Sequence, residues 1–146
     1  MRCGPSPPIL TSRKAGLADV AVVRRWDIVL IDLDPTVGHE QAGTRRALIV
    51  SRDPFHRSGM ATICPISARG SRYPGEVAIP AGESGQTLGA VVLCHQLQTI
   101  DLRRVTSLDI GGRSRSLTDP SLRSQVRRAL AHQLGLDLSA QLDGAA

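Results

Sequence analysis

Aromatic residues and lysine are both scarce in this chain of 146 residues. It has one tryptophan, one tyrosine and one phenylalanine, and Lys14 is the single lysine among 18 basic side chains. Few aromatic faces are therefore available for stacking on a flat ligand, and nearly all of the positive charge is carried by guanidinium groups. Guanidinium groups form bidentate hydrogen bonds with phosphate oxygens, although the coding bias of a genome also explains such a ratio.

Metal-binding cysteine patterns and long apolar runs are absent from the sequence. Cys3, Cys64 and Cys94 are scattered without C-x-x-C spacing, and no zinc pattern can be drawn with the four histidines. Cys64 and Cys94 lie inside apolar stretches, which predicts buried free thiols in a reducing compartment. No apolar run is long enough to span a membrane, so we expect a cytoplasmic protein. We also expect no metal and no cofactor.

The net charge of +5 is concentrated in the first half of the chain. Residues 1–73 contain 11 basic and 6 acidic side chains, whereas residues 74–146 contain 7 of each. A basic excess in one region favours a polyanionic partner, because Lys and Arg release condensed counterions when they meet phosphates. On charge alone, plain solubility explains the excess equally well.

Short apolar runs separated by turn residues predict one mainly β domain that ends in a helix. We expect residues 1–23 to be a poorly ordered extension, residues 24–138 to form the domain, and residues 139–146 to be a flexible tail. From Trp26 onwards, strand-length runs read WDIVLIDL, ALIVS, ATICPI, EVAIP, GAVVLC and QLQTI. Turn signals about every 8–12 residues favour a small barrel over a parallel sheet.

The last predicted element is an amphipathic helix. Asp119 is a candidate N-cap, Pro120 stands at the first helical position and Gly135 lies past the end. Apolar side chains at helical spacing predict that one face packs on the barrel, namely Leu122, Val126, Ala129, Leu130 and Leu134. We expect the arginines of the helix to form a solvated face, namely Arg123, Arg127 and Arg128.

The densest group of polar side chains lies in a loop between the first two predicted strands. Residues 34–51 read DPTVGHEQAGTRRALIVS, and they bring together His39, Glu40, Gln41, Thr44, Arg45 and Arg46. A long polar loop between apolar strands is costly unless it has a function or packs internally. Two glycines in it, Gly38 and Gly43, permit close approach of the backbone to a ligand. These residues alone predict a ligand-binding loop without specifying its chemistry.

The order of residues in this loop resembles the MazF/PemK family of toxins. The family pattern runs Asp-x-Asp-Pro-Thr-x-Gly-x-Glu-Gln-x-Gly-x-Arg between two strands, and residues 32–45 match it throughout. Three later segments are similar to the same family, namely CPIS at 64–67, YPGEV at 73–77 and QLQTID at 96–101. The resemblance extends from Trp26 to the last helix and leaves out only the N-terminal extension.

The resemblance implies a fold, an activity and two partners. The implied fold is mainly β with a C-terminal helix (α+β), an SH3-like small β-barrel that forms a homodimer and is inhibited by a cognate MazE-like antitoxin. The implied activity is that of an mRNA interferase, a toxin endoribonuclease that cleaves single-stranded RNA at a short sequence motif without a metal. By motif position, Arg45 matches the family's catalytic arginine and Ser67 its catalytic hydroxyl. The RNA contacts expected around them are His39, Glu40, Gln41, Thr44, Arg46 and Gln96.

Cleavage of RNA through its own 2′-OH suits these two side chains. The reaction needs removal of the 2′-OH proton, stabilisation of charge on the phosphorane and protonation of the leaving 5′-oxygen, and it yields a 2′,3′-cyclic phosphate. Arg45 can stabilise the equatorial oxygens by bidentate hydrogen bonds. Ser67 can hydrogen-bond a phosphate oxygen or orient the 2′-OH. The general base stays unassigned, with His39 and Glu40 as candidates.

Three positions depart from the family pattern. Arg46 stands where a proline usually follows the arginine, and that proline would restrict Arg45 to an extended conformation. Gln98 replaces a common Lys or Arg, and Trp26 precedes Asp27 where Gly usually opens the first strand. The first departure leaves the level of activity open.

Two other functions are compatible with the same sequence. One is a CcdB-like toxin that binds gyrase, and the other is a catalytically weakened RNA-binding regulator, for which Arg46 is the reason. Arg45 and Ser67 favour the nuclease, because a gyrase binder has no use for that pair. The shortage of aromatics predicts that RNA is read through hydrogen bonds to base edges, with Phe55 either stacking on a base or packing locally. Arg104 is expected to anchor the fold rather than to catalyse.

Overall fold

Eight β-strands and one α-helix make up most of the regular structure among the described residues. The computed structural model describes residues 23–34, 38, 43–70, 73–82, 89–107 and 115–136. The strands are β1 (Asp27–Asp32), β2 (Thr44–Ile49), β3 (Met60–Ser67), β4 (Glu76–Ile79), β5 (Ala90–Leu93), β6 (Gln98–Asp101), β7 (Val105–Ser107) and β8 (Arg115–Ser116). The helix α1 spans Pro120–Leu134, and short 3-10 helices span Asp53–Ser58, Cys94–Gln96 and Leu102–Arg104.

Residues 1–22 of the predicted extension, the predicted tail and Cys3 lie outside these residues, and the domain boundaries stay predictions. Val23, the last residue of the predicted extension, is described and buried. Within the described part of the chain, no helix combines the length and the apolar character that crossing a membrane requires.

The described strands are antiparallel and form one sheet. Their order is β4-β5-β3-β2-β1-β7, while β6 also pairs with β3 and β8 with β1. Ile28 lies opposite Leu48 in the β1–β2 pair, and Ala47 lies opposite Pro65 in the β2–β3 pair. Because β1, β2 and β3 are neighbours in both sequence and space, connections without a crossover helix are sufficient to join them.

Both faces of the central strands are buried, which explains why their sequences are almost continuously apolar. The face covered by α1 carries the helix-side cluster, which includes Trp26, Ile28, Leu48, Cys64, Ile66, Val92, Cys94, Leu117, Leu122, Val126 and Ala129. The opposite cluster includes Val29, Ile31, Ala47, Ile49, Ala61, Ile63, Ile100, Leu102 and Val105. Side chains therefore alternate between two cores along β1, β2 and β3.

Helix α1 begins and ends at the predicted residues. The side chain of Asp119 accepts a hydrogen bond of 2.8 Å from Ser121 N, Pro120 is the first helical residue, and Gly135 ends the helix with a φ of 70°. Most of the predicted apolar face is buried, namely Leu122, Val126 and Ala129. The prediction for Leu134 was wrong: this side chain is 57% exposed, because it lies in the last turn, whose end faces solvent.

Two of the three arginines of α1 contact the Trp26 ring. The prediction of a solvated face was wrong for Arg123, which is half-buried, whereas Arg127 and Arg128 are exposed as predicted. The Cζ atoms of Arg123 and Arg127 are 5.3 and 5.4 Å from the centroid of the Trp26 ring. Arg123 Nε also donates a hydrogen bond of 2.6 Å to Leu117 O. The helical pattern placed these side chains off the apolar face correctly, but it did not show that Trp26 would lie beside that face.

The connection between β2 and β3 contains a 3-10 helix, Asp53–Ser58, that the polar sequence did not predict. His56 in this helix is buried, with Nδ1 donating to Val23 O at 2.9 Å and Nε2 lying 2.8 Å from Ser51 Oγ. Phe55 is 41% exposed on the same helix, so its role as a stacking residue stays a prediction. The short strands β7 and β8 were also missed, because runs of three and two residues carry no usable periodicity.

Two half-buried carboxylates, Asp27 and Asp101, are expected to change the free energy of unfolding in opposite directions as the pH rises. Burial raises the pKa of Asp27, although Arg24 N donates a hydrogen bond of 2.9 Å to it. Hydrogen bonds from Arg103, whose Nε and Nη2 lie 3.0 and 2.8 Å from the carboxylate, lower the pKa of Asp101. The Asp27 contribution is present below the unfolded value and is lost as pH rises through the raised folded value. The Asp101 contribution is present above the unfolded value and is lost as pH falls through the lowered folded value.

Asp27→Asn should therefore raise the free energy of unfolding at neutral pH, and the gain should disappear in acid. Asp101→Asn is the matched control with the opposite sign: it should lower stability at neutral pH by less than about 1 kcal/mol, because the ion pair is exposed to solvent. Urea unfolding of both variants across the acid and neutral range measures both slopes. A loss of stability in Asp27→Asn at neutral pH would contradict the burial argument.

Candidate active site

Hydrogen bonds close the base of the loop that joins β1 to β2. Leu33 N donates to Gly43 O at 3.0 Å, and Gly43 N donates to Asp34 Oδ1 at 2.9 Å. Arg104 Nη1 donates to the carbonyl oxygens of Asp32 and Asp34 at 2.9 and 2.7 Å. The two ends of the loop are thus held together, and the prediction that Arg104 anchors the fold is confirmed.

Gly43 sets the direction in which the chain enters β2. Its φ of 75° lies in the left-handed region, which glycine adopts without the strain that a Cβ would bring. Immediately afterwards, Thr44 pairs with Asp32 and Arg45 pairs with Ile31. Strand β2 therefore starts at Thr44, three residues before the apolar run that predicted it, and Arg45 is carried by a hydrogen-bonded strand rather than by the loop.

Arg45 and Ser67 lie at the same end of the sheet. Ala47 of β2 is opposite Pro65 of β3; Arg45 precedes the first by two residues and Ser67 follows the second by two. Because side chains alternate with a period of two, both residues continue the face of Ala47 and Pro65. Arg45 is exposed and Ser67 is half-buried. This shared level and face allow a guanidinium and a hydroxyl to reach one ligand.

The Ser67 hydroxyl is oriented by its surroundings without using its proton. Ser67 pairs with Val91 of β5, and its Oγ accepts a hydrogen bond of 3.3 Å from Arg69 N. A hydroxyl that accepts through a lone pair keeps its O–H for donation. The group is therefore suited to donate to a phosphate oxygen or to orient a ribose hydroxyl.

Gln96 lies beside β3, in the 3-10 helix Cys94–Gln96 that joins β5 to β6. Both of these strands pair with β3, one at Ser67 with Val91 and the other at Ile63 with Gln98. The connection thus passes along β3, the strand that carries Ser67. Gln96 therefore lies on the same side of β3 as Val91, the pairing partner of Ser67.

The remaining predicted RNA contacts divide into two groups. Thr44 and Arg46 alternate with Arg45 along β2, so their side chains lie on the opposite face of the strand. His39, Glu40 and Gln41 lie outside the described residues. Their predicted roles stay predictions.

An aromatic pair next to Gln96 was not predicted as part of the site. The rings of Tyr73 and His95 are 4.7 Å apart at an angle of 44°, and Tyr73 is 52% exposed. Gly75 permits this arrangement, because a Cβ at that position would lie 2.8 Å from His95 Cβ. The signal in the sequence was the position of His95 directly before a predicted RNA contact.

The two described cysteines take no part in this site. Cys64 and Cys94 are free and buried, as predicted. The neighbouring Cys94 thiol and burial raise the pKa of Cys64 well above its ordinary value, which makes it a poor nucleophile. In the part of the chain that the structure describes, no three His, Cys, Asp or Glu side chains are grouped so as to hold a metal ion.

Comparison with known proteins identifies the family. The family model described as PemK-like, MazF-like toxin of type II toxin–antitoxin system matches residues 24–134. The chain belongs to this family. The match includes β1, the loop, β2 and β3, which together carry the predicted catalytic pair.

A named relative and two solved structures agree with this assignment. The endoribonuclease toxin ChpB of Escherichia coli (strain K12) is 40% identical over 90 residues, which cover 60% of this chain and 77% of ChpB. MazF (Form-I) from Deinococcus radiodurans is 28% identical with a TM-score of 0.66, covering 79% of this chain and 98% of that chain. A MazE-MazF structure (Form-II) from the same organism is 27% identical with a TM-score of 0.61, covering 80% and 98%.

The predicted fold class is confirmed by the structure and by the likeness to MazF. The class is mainly antiparallel β with a C-terminal helix. The described strands form an open sheet, which is compatible with a small barrel-like fold.

Trp26 adopts a backbone conformation that suits the glycine usual in PemK-like, MazF-like toxins. Its φ is 77°, the one positive value at a non-glycine residue in the described part of the chain. Trp26 N donates to Ile49 O at 2.7 Å, and Leu117 N donates to Trp26 O at 2.8 Å. The backbone is therefore fixed on both sides, and the packed ring offsets the strain of the left-handed conformation.

The replacement of the family's proline by Arg46 does not leave Arg45 unsupported. Arg46 pairs with Leu30 and Arg45 with Ile31 in the β1–β2 ladder. The ladder holds Arg45 in an extended conformation, which is what a following proline would otherwise favour.

Proposed function

We propose that this chain is a toxin endoribonuclease that cleaves single-stranded RNA, chiefly mRNA, at a short sequence motif through the 2′-OH and without a metal. The observation that carries the proposal is the placement of Arg45 and Ser67 on one face, at one end of the sheet. The family and the endoribonuclease name of the ChpB relative support the same activity.

In the proposed reaction, the RNA supplies its own nucleophile. The 2′-oxygen loses its proton to a general base and attacks the adjacent phosphorus, the bond from phosphorus to the 5′-oxygen breaks, and the leaving oxygen takes up a proton. The products are a 2′,3′-cyclic phosphate and a 5′-hydroxyl. His39 and Glu40 are the candidate bases.

Arg45 stabilises the negative charge that builds up on the phosphorane. Its guanidinium is exposed at the end of the sheet, and its planar fork matches two non-bridging oxygens. Ser67 contributes one further donor from the neighbouring strand, and its contact with Arg69 N fixes the position of the oxygen. These are interactions with the transition state, so their loss lowers the rate more than the affinity.

The proposed partners follow from the same family. The likeness to a MazE-MazF structure supports a cognate antitoxin of the MazE kind, which we propose covers the active site. We also propose a homodimer of this chain as the active form, as the resemblance to the family implies. We place the protein in the cytoplasm, where its mRNA substrate is found.

Incubation with single-stranded RNA in excess EDTA tests the proposed function. We expect cleavage at a short recurring motif, with 2′,3′-cyclic phosphate ends. RNA that stays intact but binds at low salt would indicate the regulator that lacks turnover. RNA that is neither cut nor bound would point to a toxin that acts on a protein, such as gyrase.

A further inference from the structure

Arginines converge on Trp26, at the opposite end of β1 from Arg45. The Cζ atoms of Arg25, Arg123 and Arg127 lie 4.7, 5.3 and 5.4 Å from the centroid of the Trp26 ring. Arg52 is close enough for its charge to act on Arg25. We refer to Arg25, Arg52, Arg123 and Arg127 as the arginine cluster. Its members come from the segment just before β1, the β2–β3 connection and two turns of α1.

Within the arginine cluster, Arg25 is poorly neutralised by the described residues. The one carboxylate among the described charges that act on Arg25 is that of Asp53, whose Oδ1 already accepts a hydrogen bond of 2.8 Å from Arg25 N. Arg25 Nε is buried and has no hydrogen-bond partner within the described part of the chain. Burial, followed by the charges of Arg127, Arg52 and Arg123, lowers the pKa of Arg25.

Contacts with the Trp26 ring do not remove this repulsion. A cation over an aromatic face is attracted to the ring, but guanidiniums that share one ring still repel one another. A buried donor without a partner adds a further cost. An anion between the side chains would relieve both the repulsion and the unpaired donor. It offers hydrogen-bond acceptors to the guanidinium groups and a charge opposite to that of the arginine cluster.

The geometry favours a tetrahedral oxyanion. The oxygens of a phosphate point in different directions and can meet two or three guanidinium forks, whereas the two coplanar oxygens of a carboxylate match one fork. The cluster belongs to the helix-side face of β1, since Trp26 lies in that core, while Arg45 continues the face of Ala47. The arginine cluster is therefore separate from the proposed catalytic pair.

We propose that the arginine cluster is a second phosphate-binding site, which holds the backbone of the RNA strand at nucleotides outside the cleaved segment. This inference rests on the proposed function for the identity of the strand. From Trp26 to Ile31, the partner of Arg45, β1 advances five residues, or about 17 Å, which is a span of a few nucleotides. RNA that fills both sites passes around the edge of the sheet. At the arginine cluster the protein contacts the phosphates of the RNA and none of its bases.

Trp26 itself provides the probe, because it is the single tryptophan in the chain. Emission from Trp26 is recorded while a short single-stranded DNA oligonucleotide is added, since DNA has the phosphate backbone but lacks the 2′-OH needed for cleavage. We expect a saturable change in emission that weakens as salt increases. Inorganic phosphate should compete for the same signal at high concentration.

Arg127→Gln is the informative variant and Arg128→Gln is its matched control. Both arginines are exposed on α1, and only Arg127 lies over Trp26. Loss of one phosphate contact to a single strand should reduce the slope of log affinity against log salt by about 0.7, which amounts to about fivefold weaker binding at about 0.1 M salt. Arg52→Gln should act in the same direction, and Arg128→Gln should leave the affinity unchanged.

Several results would overturn the inference. They are an unchanged Trp26 emission on titration, equal effects of Arg127→Gln and Arg128→Gln, or competition by poly-L-glutamate as strong as that of an oligonucleotide of equal charge, which would indicate an acidic protein partner. RNA cleavage without an emission change would refute this inference and leave the proposed function standing. An emission change without RNA cleavage would refute the proposed function and leave the phosphate site standing.

Discussion

Arg45→Ala should slow RNA cleavage by about 100- to 1000-fold, the usual effect of removing one donor that stabilises a transition-state oxyanion. The expected loss lies in kcat, because the guanidinium meets its full complement of charge only when the phosphorane forms. The backbone of residue 45 is held by pairing with Ile31 and its side chain is exposed, so the fold should be retained. Single-turnover cleavage of one RNA substrate, together with circular dichroism, measures both effects.

Arg57→Ala is the matched control for the loss of charge. Arg57 is exposed in the 3-10 helix Asp53–Ser58, and it belongs neither to the proposed catalytic pair nor to the arginine cluster. Arg57→Ala should cleave RNA at the wild-type rate. Arg45→Lys should fall between wild type and Arg45→Ala, because it keeps the charge and loses the planar fork. If Arg45→Ala cuts RNA as fast as wild type, Arg45 takes no part in the reaction.

Trp26→Ala should lower the free energy of unfolding by about 3–5 kcal/mol, because the ring is 6% exposed in the helix-side cluster and its loss leaves a cavity. Trp26→Gly should be less damaging than Trp26→Ala by about 1 kcal/mol, although it removes one more carbon. The reason is the φ of 77°, which costs an alanine about 1–2 kcal/mol and costs a glycine nothing.

The order of the two variants is the informative result, since glycine is normally the worse residue inside regular structure. Ala61→Gly provides the control: Ala61 is fully buried in β3, where the usual penalty of about 0.5–1 kcal/mol for glycine applies. Urea unfolding followed by circular dichroism suits all three variants, because two of them lack the tryptophan. If Trp26→Gly is less stable than Trp26→Ala by as much as Ala61→Gly is less stable than wild type, the left-handed backbone carries no strain.

The parts of the fold that depend on residues close together in the sequence could be predicted from it. The caps of α1 at Asp119 and Gly135 are local, and so is the apolar run of β1, which packs against two cores at once. The 3-10 helix around His56 could not be predicted, because its stability comes from hydrogen bonds to Val23 and Ser51 rather than from its own sequence. The exposure of Leu134 also depends on where the sheet ends.

The candidate site shows the same division between local and long-range information. The motifs name Arg45 and Ser67, but only the register of β2 and β3 places them at one level and on one face. The arginine cluster could not be predicted at all. Arg25, Arg52 and Arg127 are far apart in sequence, and helical periodicity indicated a solvated face for the last of these.

The most direct test of the proposed activity compares two substrates of identical sequence, one unmodified RNA and one fully 2′-O-methylated, in excess EDTA. Mass spectrometry of the products identifies the ends that each cleavage leaves. The expected result is that the unmodified RNA is cut to fragments with 2′,3′-cyclic phosphate and 5′-hydroxyl ends, while the methylated strand stays intact. Cleavage of both strands, or cleavage that stops when EDTA is added, would contradict attack by the 2′-OH without a metal.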